Sequence, residues 1–198
     1  MSSTALLPTL GCVLMAAGNA ARFGKNKLLQ PLNGKPIIAY GMDALQASGL
    51  SPVMVVTQYQ SVADLAIERG FLTVFNPDPK QGVSSSIRLG LGALLTACPN
   101  LSGCMFCVGD QPYLNAQSIT ILADAWKKGP QHILALAYHG KRGNPAIFPR
   151  IYFPELLSLQ GDTGGSAVIR AHEEALRLIE VSQEQELLDI DSPADFLP

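Results

Sequence analysis

The stretch GCVLMAAGNAARFGKNKLLQPLNGKP, from Gly11 to Pro36, places a loop of small and basic residues directly after an apolar run. The apolar run has the composition of a buried β-strand. The small residues Ala16, Ala17 and Gly18 allow backbone amides to approach a ligand closely, and such amides form anion-binding nests. The stretch therefore predicts a strand followed by a site for a phosphate group.

The cationic residues of this loop, Arg22 and Lys27, suit the neutralisation of a triphosphate. The Walker loop does not fit, because five residues rather than four separate Gly18 from Gly24 and because Asn26 takes the place of the hydroxyl residue. The pattern G-x-G-x-x-G is not present after the strand either. From the residues alone, two interpretations stay open: a nucleotide loop of another kind, or a solvated basic turn.

Short apolar runs recur along the chain and alternate with segments of helical spacing. The runs are LGCVLMAA (10–17), PVMVVTQ (52–58), FLTVFN (71–76), CMFCVG (104–109), HILALAY (132–138) and PAIFP (145–149). Ser61 and Asn115 are expected N-caps of two of the intervening helices. Strands that alternate with helices predict an α/β fold with a mostly parallel central sheet covered on both faces.

The composition limits the class of protein. The chain has 198 residues, 47% of them hydrophobic and 15% charged, with a formal net charge of −2. These values are typical of a globular protein, and we expect one domain, residues 1–198. A net negative charge argues against a nucleic-acid partner, which requires a basic surface. No apolar segment approaches the ~20 residues that cross a bilayer, so we expect no membrane partner and a cytoplasmic location.

The pair Cys104 and Cys107 forms a C-x-x-C motif inside one of the predicted strands. Positions three apart on a strand point to opposite faces of the sheet. A second pair that would complete a zinc site is not present. We therefore expect both cysteines in the buried core.

The second candidate site is the segment FCVGDQPYLN, residues 106–115. Asp110 follows a buried strand, and ligands of parallel sheets bind beyond the carboxyl ends of the strands. A carboxylate there either holds Mg²⁺ together with ligand phosphates or caps a turn before proline. Beside a basic phosphate loop, the metal interpretation is the stronger. Asp191, in LLDIDSPADF, is either a second magnesium ligand or the cap of a following helix.

Two further groups of polar residues also have two interpretations each. Ser84, Ser85 and Ser86 lie at the start of a predicted helix, where they either contact a nucleobase edge or phosphate or simply cap the helix. His139, in the loop YHGKRGNP, either touches substrate or faces solvent.

Five motifs in order resemble those of the MobA-like nucleotidyltransferases that complete molybdenum cofactors. VLMAAGNAARFGKNKLL resembles the family's opening signature, L-A-A-G-x-x-x-R-x-G-x-x-K. NPDPKQGVSSSIRLGL is similar to the segment that enters its second-site helix, GDQP to its metal motif, GNPAIFPR to its substrate-side strand and DIDSPADF to its C-terminal motif. The motifs extend from Gly11 to Phe196, so the resemblance covers nearly the whole chain.

The resemblance implies a Rossmann-like three-layer nucleotidyltransferase fold, a bound nucleoside triphosphate and the cofactor Mg²⁺. The residues that it assigns are Arg22 and Lys27 to the triphosphate, Asp110 and Asp191 to the metal, and Asn144 and Pro145 to the acceptor side. The implied reaction is attack by a phosphate oxygen of a phosphorylated pterin on the α-phosphorus, with release of pyrophosphate.

The first loop also indicates a nucleotide. Relatives that use CTP tend to have the sequence A-A-G in this loop, and relatives that use guanine nucleotides tend to have A-G-G, so MAAG resembles the cytidylyl type. The methyl group of Ala17 would narrow the pocket beside the base and so favour the smaller pyrimidine. The expected enzyme is a CTP:molybdenum cofactor cytidylyltransferase, with a molybdenum hydroxylase as a possible partner. The alternatives are GTP or another nucleotide, another phosphorylated acceptor, or a non-catalytic carrier that docks on a hydroxylase.

One position departs from the family's pattern. Ser166, in GDTGGSAVIR, stands where relatives often read Arg, which puts the identity of the acceptor in doubt. Arg170 lies one helical turn further on and is a candidate to compensate.

Overall fold

A seven-stranded sheet forms the centre of the structure, a computed structural model that describes residues 8–18 and 26–190. The strands in the described residues are β1 (Leu10–Ala16), β2 (Pro31–Leu32), β3 (Lys35–Pro36), β4 (Val53–Thr57), β5 (Leu72–Phe75), β6 (Gly103–Val108), β7 (Ile133–Tyr138), β8 (Lys141–Pro149) and β9 (Leu176–Glu180). The helices there are α1 (Ile37–Ala47), α2 (Gln60–Ile67), α3 (Val83–Ala97), α4 (Ala116–Lys128), α5 (Phe153–Ser158) and α6 (Ser166–Ala171).

The order of strands in this sheet is β5-β4-β1-β6-β8-β7-β9, and β2 and β3 form a separate small hairpin. All neighbouring strands are parallel except β8, which runs antiparallel to both β6 and β7. The prediction of a mostly parallel sheet is confirmed. The carboxyl ends of β1, β4 and β6 consequently meet at one edge of the sheet, together with the beginning of β8.

Helices cover both faces of the sheet, which gives the three layers expected. On β1, Leu14 belongs to the core cluster under α1, α2 and α4, whereas Val13 belongs to the cluster under α3, α5 and α6. Cys104 and Cys107 divide in the same way between the two clusters, which confirms that both are core residues on opposite faces. Burial raises the pKa of the Cys104 thiol well above its usual value.

Glycines set how closely helices approach the strands. A Cβ atom on Gly90 of α3 would lie 2.5 Å from Val13 Cγ1 and 2.6 Å from Val56 Cγ2. A Cβ atom on Gly103, the first residue of β6, would lie 2.3 Å from the ring of Trp126 in the last turn of α4. The absence of a side chain at these two positions lets α3 and α4 pack directly on the sheet.

The helix starts agree with sequence signals in one case and differ in another. Asn115 caps α4, since its side-chain oxygen accepts a hydrogen bond from Ser118 N. The prediction of Ser61 as a cap is wrong, because the N-cap is Tyr59, two residues earlier, and Ser61 lies in the first turn of α2. Helix ends fray, and their assigned bounds differ by one or two residues between criteria.

An ion-pair cluster ties α1 to its neighbours. Asp43 pairs with Lys35 of β3, and its Oδ1 accepts a hydrogen bond of 2.7 Å from Nε of Arg69, just beyond α2. Burial by itself would raise the pKa of Asp43, but the hydrogen bonds from Lys35 and Arg69 outweigh burial and lower the pKa below its usual value. The helices of the described residues lack the combination of length and apolar character that a membrane span requires.

Candidate active site

Lys27 and Asp110 meet at the edge of the sheet where the strands end. Nζ of Lys27 donates a hydrogen bond of 2.9 Å to Oδ2 of Asp110, across 83 positions of sequence. The two side chains are 16% and 25% exposed, so the ion pair is partly shielded from solvent. The structure thus joins the residue expected on the triphosphate to the residue expected on the metal.

Local structure fixes the direction of both side chains. Asp110 follows Gly109, whose N donates to Met15 O at 2.9 Å and whose Cβ, if present, would lie 2.6 Å from Ile38 Cδ1. Lys27 begins a 3₁₀ turn, in which the Asn26 side chain accepts a hydrogen bond from the backbone N of Leu28. The chain after β6 is therefore held against β1, and the side chain of Lys27 extends from the 3₁₀ turn to Asp110.

The predicted anion nest begins at the described end of β1. Ala16 and Ala17 are 1% and 2% exposed, and the Ala17 carbonyl accepts a hydrogen bond of 2.8 Å from Gln58 Nε2. Among the described residues, no atom outside the neighbouring positions lies within 4 Å of a Cβ placed on Gly18. Arg22 lies outside the described residues, and its assignment to a triphosphate stays a prediction.

The methyl group of Ala17 belongs to the buried cluster under α3. Ala17 is 2% exposed, so its methyl group is enclosed by the protein. The proposed narrowing of a base pocket by this methyl group stays a prediction.

The serines at the start of α3 are buried and hydrogen bonded. Ser84, Ser85 and Ser86 are 0%, 4% and 7% exposed. Ser85 Oγ donates to the Gly82 carbonyl at 2.8 Å, and Asn76 Nδ2 donates to the Oγ atoms of Ser85 and Ser86 at 2.9 and 3.2 Å. These hydrogen bonds join the end of β5 to the start of α3, so the hydroxyl groups of Ser85 and Ser86 stabilise the fold at this point. Their contact with a nucleotide stays a prediction.

The C-terminal part of the chain returns to Asp110. Ile190 is fully buried, and its backbone N donates to the Asp110 carbonyl oxygen at 2.9 Å. Asp191 follows directly and lies outside the described residues, so its role as a metal ligand is still a prediction. The described contact nevertheless brings the preceding residue to the predicted metal site.

A pocket of about 190 Å³ opens beside this site on the α3 face of the sheet. Its lining residues include Met15, Ile87, Phe106, Asn144 and Phe148. Apolar walls with a few polar groups are typical of a small-molecule site.

The residues predicted on the acceptor side separate in the structure. Asn144 lines the pocket, whereas the neighbouring Pro145 is buried in β8. His139 is exposed in the tight turn between β7 and β8, where it has a φ of 48° and its ring lies 4.2 Å from that of Tyr138. The geometry brings Asn144, but not His139, to the pocket.

Arg142 is a pocket residue that the sequence reasoning missed. Its Nη2 donates a hydrogen bond of 3.1 Å to Oγ of Ser166, and both residues line the pocket. Burial, and then the nearby charge of Arg170, lower the pKa of Arg142 from its usual value, although an arginine stays protonated in proteins. The serine that replaces the expected arginine thus holds another arginine at the pocket. Alternation along a strand could have identified it, because Arg142 and Asn144 are two positions apart.

The solved structures that resemble this one identify the class of fold. Rv0371c from Mycobacterium tuberculosis H37Rv superposes with a TM-score of 0.82 at 22% identity, over 96% of this chain and 97% of that one, and the same protein has been solved in complex with manganese. A nucleotidyl transferase from Methanothermobacter thermautotroptrophicus gives a TM-score of 0.77 at 21% identity, over 95% of this chain and 94% of that one. The fold is that of the nucleotidyltransferases.

The chain belongs to the MobA-like NTP transferase domain family, which it matches over residues 12–176. It is therefore a nucleotidyltransferase, as the motifs predicted. The purine catabolism protein PucB of Bacillus subtilis (strain 168) is 26% identical over 200 residues, covering 96% of this chain and 95% of PucB. The molybdenum cofactor cytidylyltransferase of Escherichia coli (strain K12) is 23% identical over 195 residues, covering 96% and 95%. A probable molybdenum cofactor guanylyltransferase of Thermococcus sibiricus is 25% identical over 140 residues, covering 64% and 67%.

Proposed function

We propose that this nucleotidyltransferase moves CMP from CTP to the terminal phosphate of a phosphorylated pterin, the molybdenum cofactor or its precursor. The observation that carries the proposal is the pairing of Lys27 with Asp110, the residue that follows β6 beside β1. A cation and a carboxylate at that edge suit a triphosphate and the divalent metal ion that accompanies it. The proposed location of this activity is the cytoplasm.

The proposed reaction is a substitution at phosphorus. An acceptor phosphate oxygen forms a bond to the α-phosphorus, the bond from the α-phosphorus to the bridging oxygen breaks, and pyrophosphate leaves. A phosphate monoester has a second pKa of about 6, so it is already an anion at neutral pH and needs no strong base. The task of the protein is positioning and charge neutralisation.

Lys27 and Arg22 are proposed to hold the triphosphate and to neutralise the leaving pyrophosphate. The ammonium group of Lys27 sits on a flexible stem, so it can exchange its partner Asp110 for a phosphate oxygen. The ion pair therefore keeps the two groups close together before the nucleotide arrives. We propose that two further groups complete the nucleotide site: the backbone amides of Ala16, Ala17 and Gly18, and the start of α3 at Ser84, Ser85 and Ser86.

The donor set fits a divalent cation that is shared with the nucleotide. In the described part of the chain, no three His, Cys, Asp or Glu side chains come close enough together to hold a metal ion. Asp110 supplies one carboxylate, and Mg²⁺ in such sites uses one or two carboxylates plus substrate phosphates. We propose Mg²⁺ as the cofactor, with Asp110 and Asp191 as its protein ligands. Bound there, it would neutralise charge on the phosphates.

The pocket lined by Asn144 is the proposed acceptor site. Its apolar walls suit the flat ring of a pterin, and Arg142 and Asn144 supply polar groups at one side. Arg142 can form paired hydrogen bonds to a phosphate. His139 and Pro145 were predicted here as well, and we assign the contact to Asn144 because it lines the pocket.

The choice of nucleotide rests on the A-A-G sequence and on the relatives. One relative that spans the chain is a cytidylyltransferase, which favours CTP. A shorter match to a probable guanylyltransferase makes GTP the second candidate. A molybdenum hydroxylase is the proposed recipient of the finished cofactor, and the carrier role without catalysis is the remaining alternative.

Thermal unfolding with Mg²⁺ and each of CTP, GTP, ATP and UTP tests the nucleotide. A ligand present at 100 times its Kd stabilises the native state by about 2.7 kcal/mol. We expect an upward shift of Tm with CTP. A shift with GTP alone would keep the mechanism and replace the nucleotide, and no shift with any of them would favour the carrier.

Single substitutions test the site. Lys27→Ala and Asp110→Ala should each lower turnover by about 100-fold or more while the fold is retained, because each removes a preorganised charge from the site. Lys127→Ala and Asp124→Ala are matched controls, since these residues form an exposed ion pair in α4 near the opposite end of the sheet. Pyrophosphate release measures turnover, and near-normal release by either site variant would contradict the mechanism.

A further inference from the structure

The loop that carries Asp110 is held by a segment near the end of the described chain. We define the β6–α4 loop as residues 109–115 and the C-terminal segment as residues 184–190. Ile190 N donates to Asp110 O at 2.9 Å, and Gln111 Nε2 donates to Leu187 O at 3.1 Å. The C-terminal segment therefore contacts the first residues of the β6–α4 loop through its own backbone groups, the N of Ile190 and the carbonyl oxygen of Leu187.

Glu186 binds the other end of the same loop. Its Oε2 accepts a hydrogen bond of 2.6 Å from Asn115 Nδ2 and one of 2.5 Å from Ser118 Oγ. Asn115 is also the N-cap of α4, so one side chain both starts the helix and holds the carboxylate. These contacts and those of the preceding paragraph span the loop from Asp110 to Asn115.

The burial of Glu186 is unusual for its position. It is 3% exposed, whereas the neighbouring Glu184 and Gln185 are exposed. Burial of a carboxylate is costly unless hydrogen bonds compensate, and here two short ones do. A glutamate in this segment could face solvent as its neighbours do, so its inward position requires these partners.

Apolar packing fixes the remaining residues of the C-terminal segment. Ile190 is fully buried in a cluster with Leu32 and Ile37. Leu187 packs on β8, where a Cβ atom added to Gly143 would lie 3.0 Å from Leu187 Cδ1. The C-terminal segment is thus packed against β2, α1 and β8 while it is hydrogen bonded to the β6–α4 loop.

We propose that Glu186 is a positioning residue for Asp110. By fixing the C-terminal segment on α4, it holds the backbone of Asp110 through Ile190 and so orients the carboxylate that binds the divalent cation. This inference rests on the proposed function, in which Asp110 is a metal ligand. Groups that orient metal ligands typically change metal affinity by ~10- to 100-fold when they are removed.

Binding of Mn²⁺ in the presence of CTP, followed by electron paramagnetic resonance, tests the inference. Glu186→Ala should weaken binding by ~10- to 100-fold, and Ser118→Ala, which leaves the bond from Asn115, should have a smaller effect. Glu186→Gln should bind almost as the native protein does, because its side-chain oxygen can accept both hydrogen bonds. Glu184→Ala, an exposed glutamate of the same segment, should have no effect.

Hydrogen exchange without metal gives a second readout. Backbone amides of residues 109–115 should exchange faster in Glu186→Ala and at the native rate in Glu184→Ala. Leu94→Ala, a core change in the last turns of α3, controls for general loss of stability. The inference would be overturned if Glu186→Ala bound Mn²⁺ with native affinity. It would also be overturned if Leu94→Ala, at a similar loss of stability, weakened Mn²⁺ binding as much as Glu186→Ala does.

Asp110→Asn separates this inference from the proposed function. If the native protein binds Mn²⁺ and Asp110→Asn does not, the metal site stands, and the Glu186 variants alone decide the positioning role. If Asp110→Asn binds Mn²⁺ as the native protein does, the metal role of Asp110 fails, and the positioning inference fails with it.

Discussion

Replacing Lys27 with methionine should tighten the binding of Mn²⁺ to the nucleotide-free protein while it lowers turnover. In the absence of nucleotide, Lys27 occupies Oδ2 of Asp110. A divalent cation must displace this ammonium group and also meets its positive charge. Methionine keeps an apolar stem of similar length and removes both obstacles, so the carboxylate becomes available to the metal.

The geometry of the ion pair sets the size of the effect. The N–O distance is 2.9 Å, and the side chains are 16% and 25% exposed. Exposed ion pairs contribute ~0.2–1 kcal/mol, and hydrogen bonds to charged groups ~1.5–3 kcal/mol. A partly shielded pair lies between these limits, at about 1–2 kcal/mol. Since 1.4 kcal/mol corresponds to tenfold, the Kd for Mn²⁺ should fall by about 5- to 30-fold.

Titration of free Mn²⁺ by electron paramagnetic resonance measures this Kd directly. Lys127→Met is the control, because it removes an exposed lysine that pairs with Asp124 in α4. With CTP present the order should reverse, since Lys27→Met then lacks the proposed contact to a phosphate. An unchanged or weaker Mn²⁺ affinity of nucleotide-free Lys27→Met would refute competition between Lys27 and the metal for Asp110.

Three further predictions concern packing, chemistry and pH. Gly165→Ala should destabilise the fold by ~1–3 kcal/mol in denaturant unfolding, because its Cβ would lie 2.8 Å from Phe148 Cζ; Gly164→Ala, with its nearest atom at 3.5 Å, should be tolerated. In the folded protein, a thiol reagent should modify the half-buried Cys98 rapidly and the three buried cysteines only after unfolding. The pKa of Asp43 is lowered, so its ion pairs stabilise the fold at neutral pH and lose that contribution as pH falls below the usual pKa of 3.8. Because the Asp43 side chain is partly exposed, this contribution is below about 1 kcal/mol. Asp43→Asn should therefore reduce the fall in the free energy of unfolding at acidic pH by a similar amount. Stability that is independent of pH in both proteins would contradict this reading.

The strands that the sequence identified are those with strong local signals. All six predicted runs are strands. The runs that form β1, β4, β6 and β7 are continuous apolar segments buried on both faces of the sheet. The strand β9 was missed, since LRLIE at the sheet edge is partly exposed and carries charged residues. The reversed direction of β8 was not predicted, because an apolar run does not indicate which way it runs.

The candidate site divides in the same manner. Asp110 and Lys27 were identified from residue type and position after a strand, and their meeting at 2.9 Å is a result of strand order, since β1 and β6 are neighbours. Arg142 and Glu186 were not identified, because their partners Ser166 and Ser118 are distant in sequence.

By itself, the sequence determined six strands and their order along the chain, the basic loop after the first strand, the acidic residue after β6 and the family to which these motifs belong. These features depend on periodicity and on short spacings that a linear chain displays. The tertiary structure alone decided the direction of β8, the ion pair of Lys27 with Asp110 and the arginine at the pocket. It also decided the burial of Glu186, which joins the C-terminal segment to the end of the β6–α4 loop and the start of α4. Each of these depends on contacts between segments far apart in sequence, and such contacts form only when the sheet brings its strand ends to one edge.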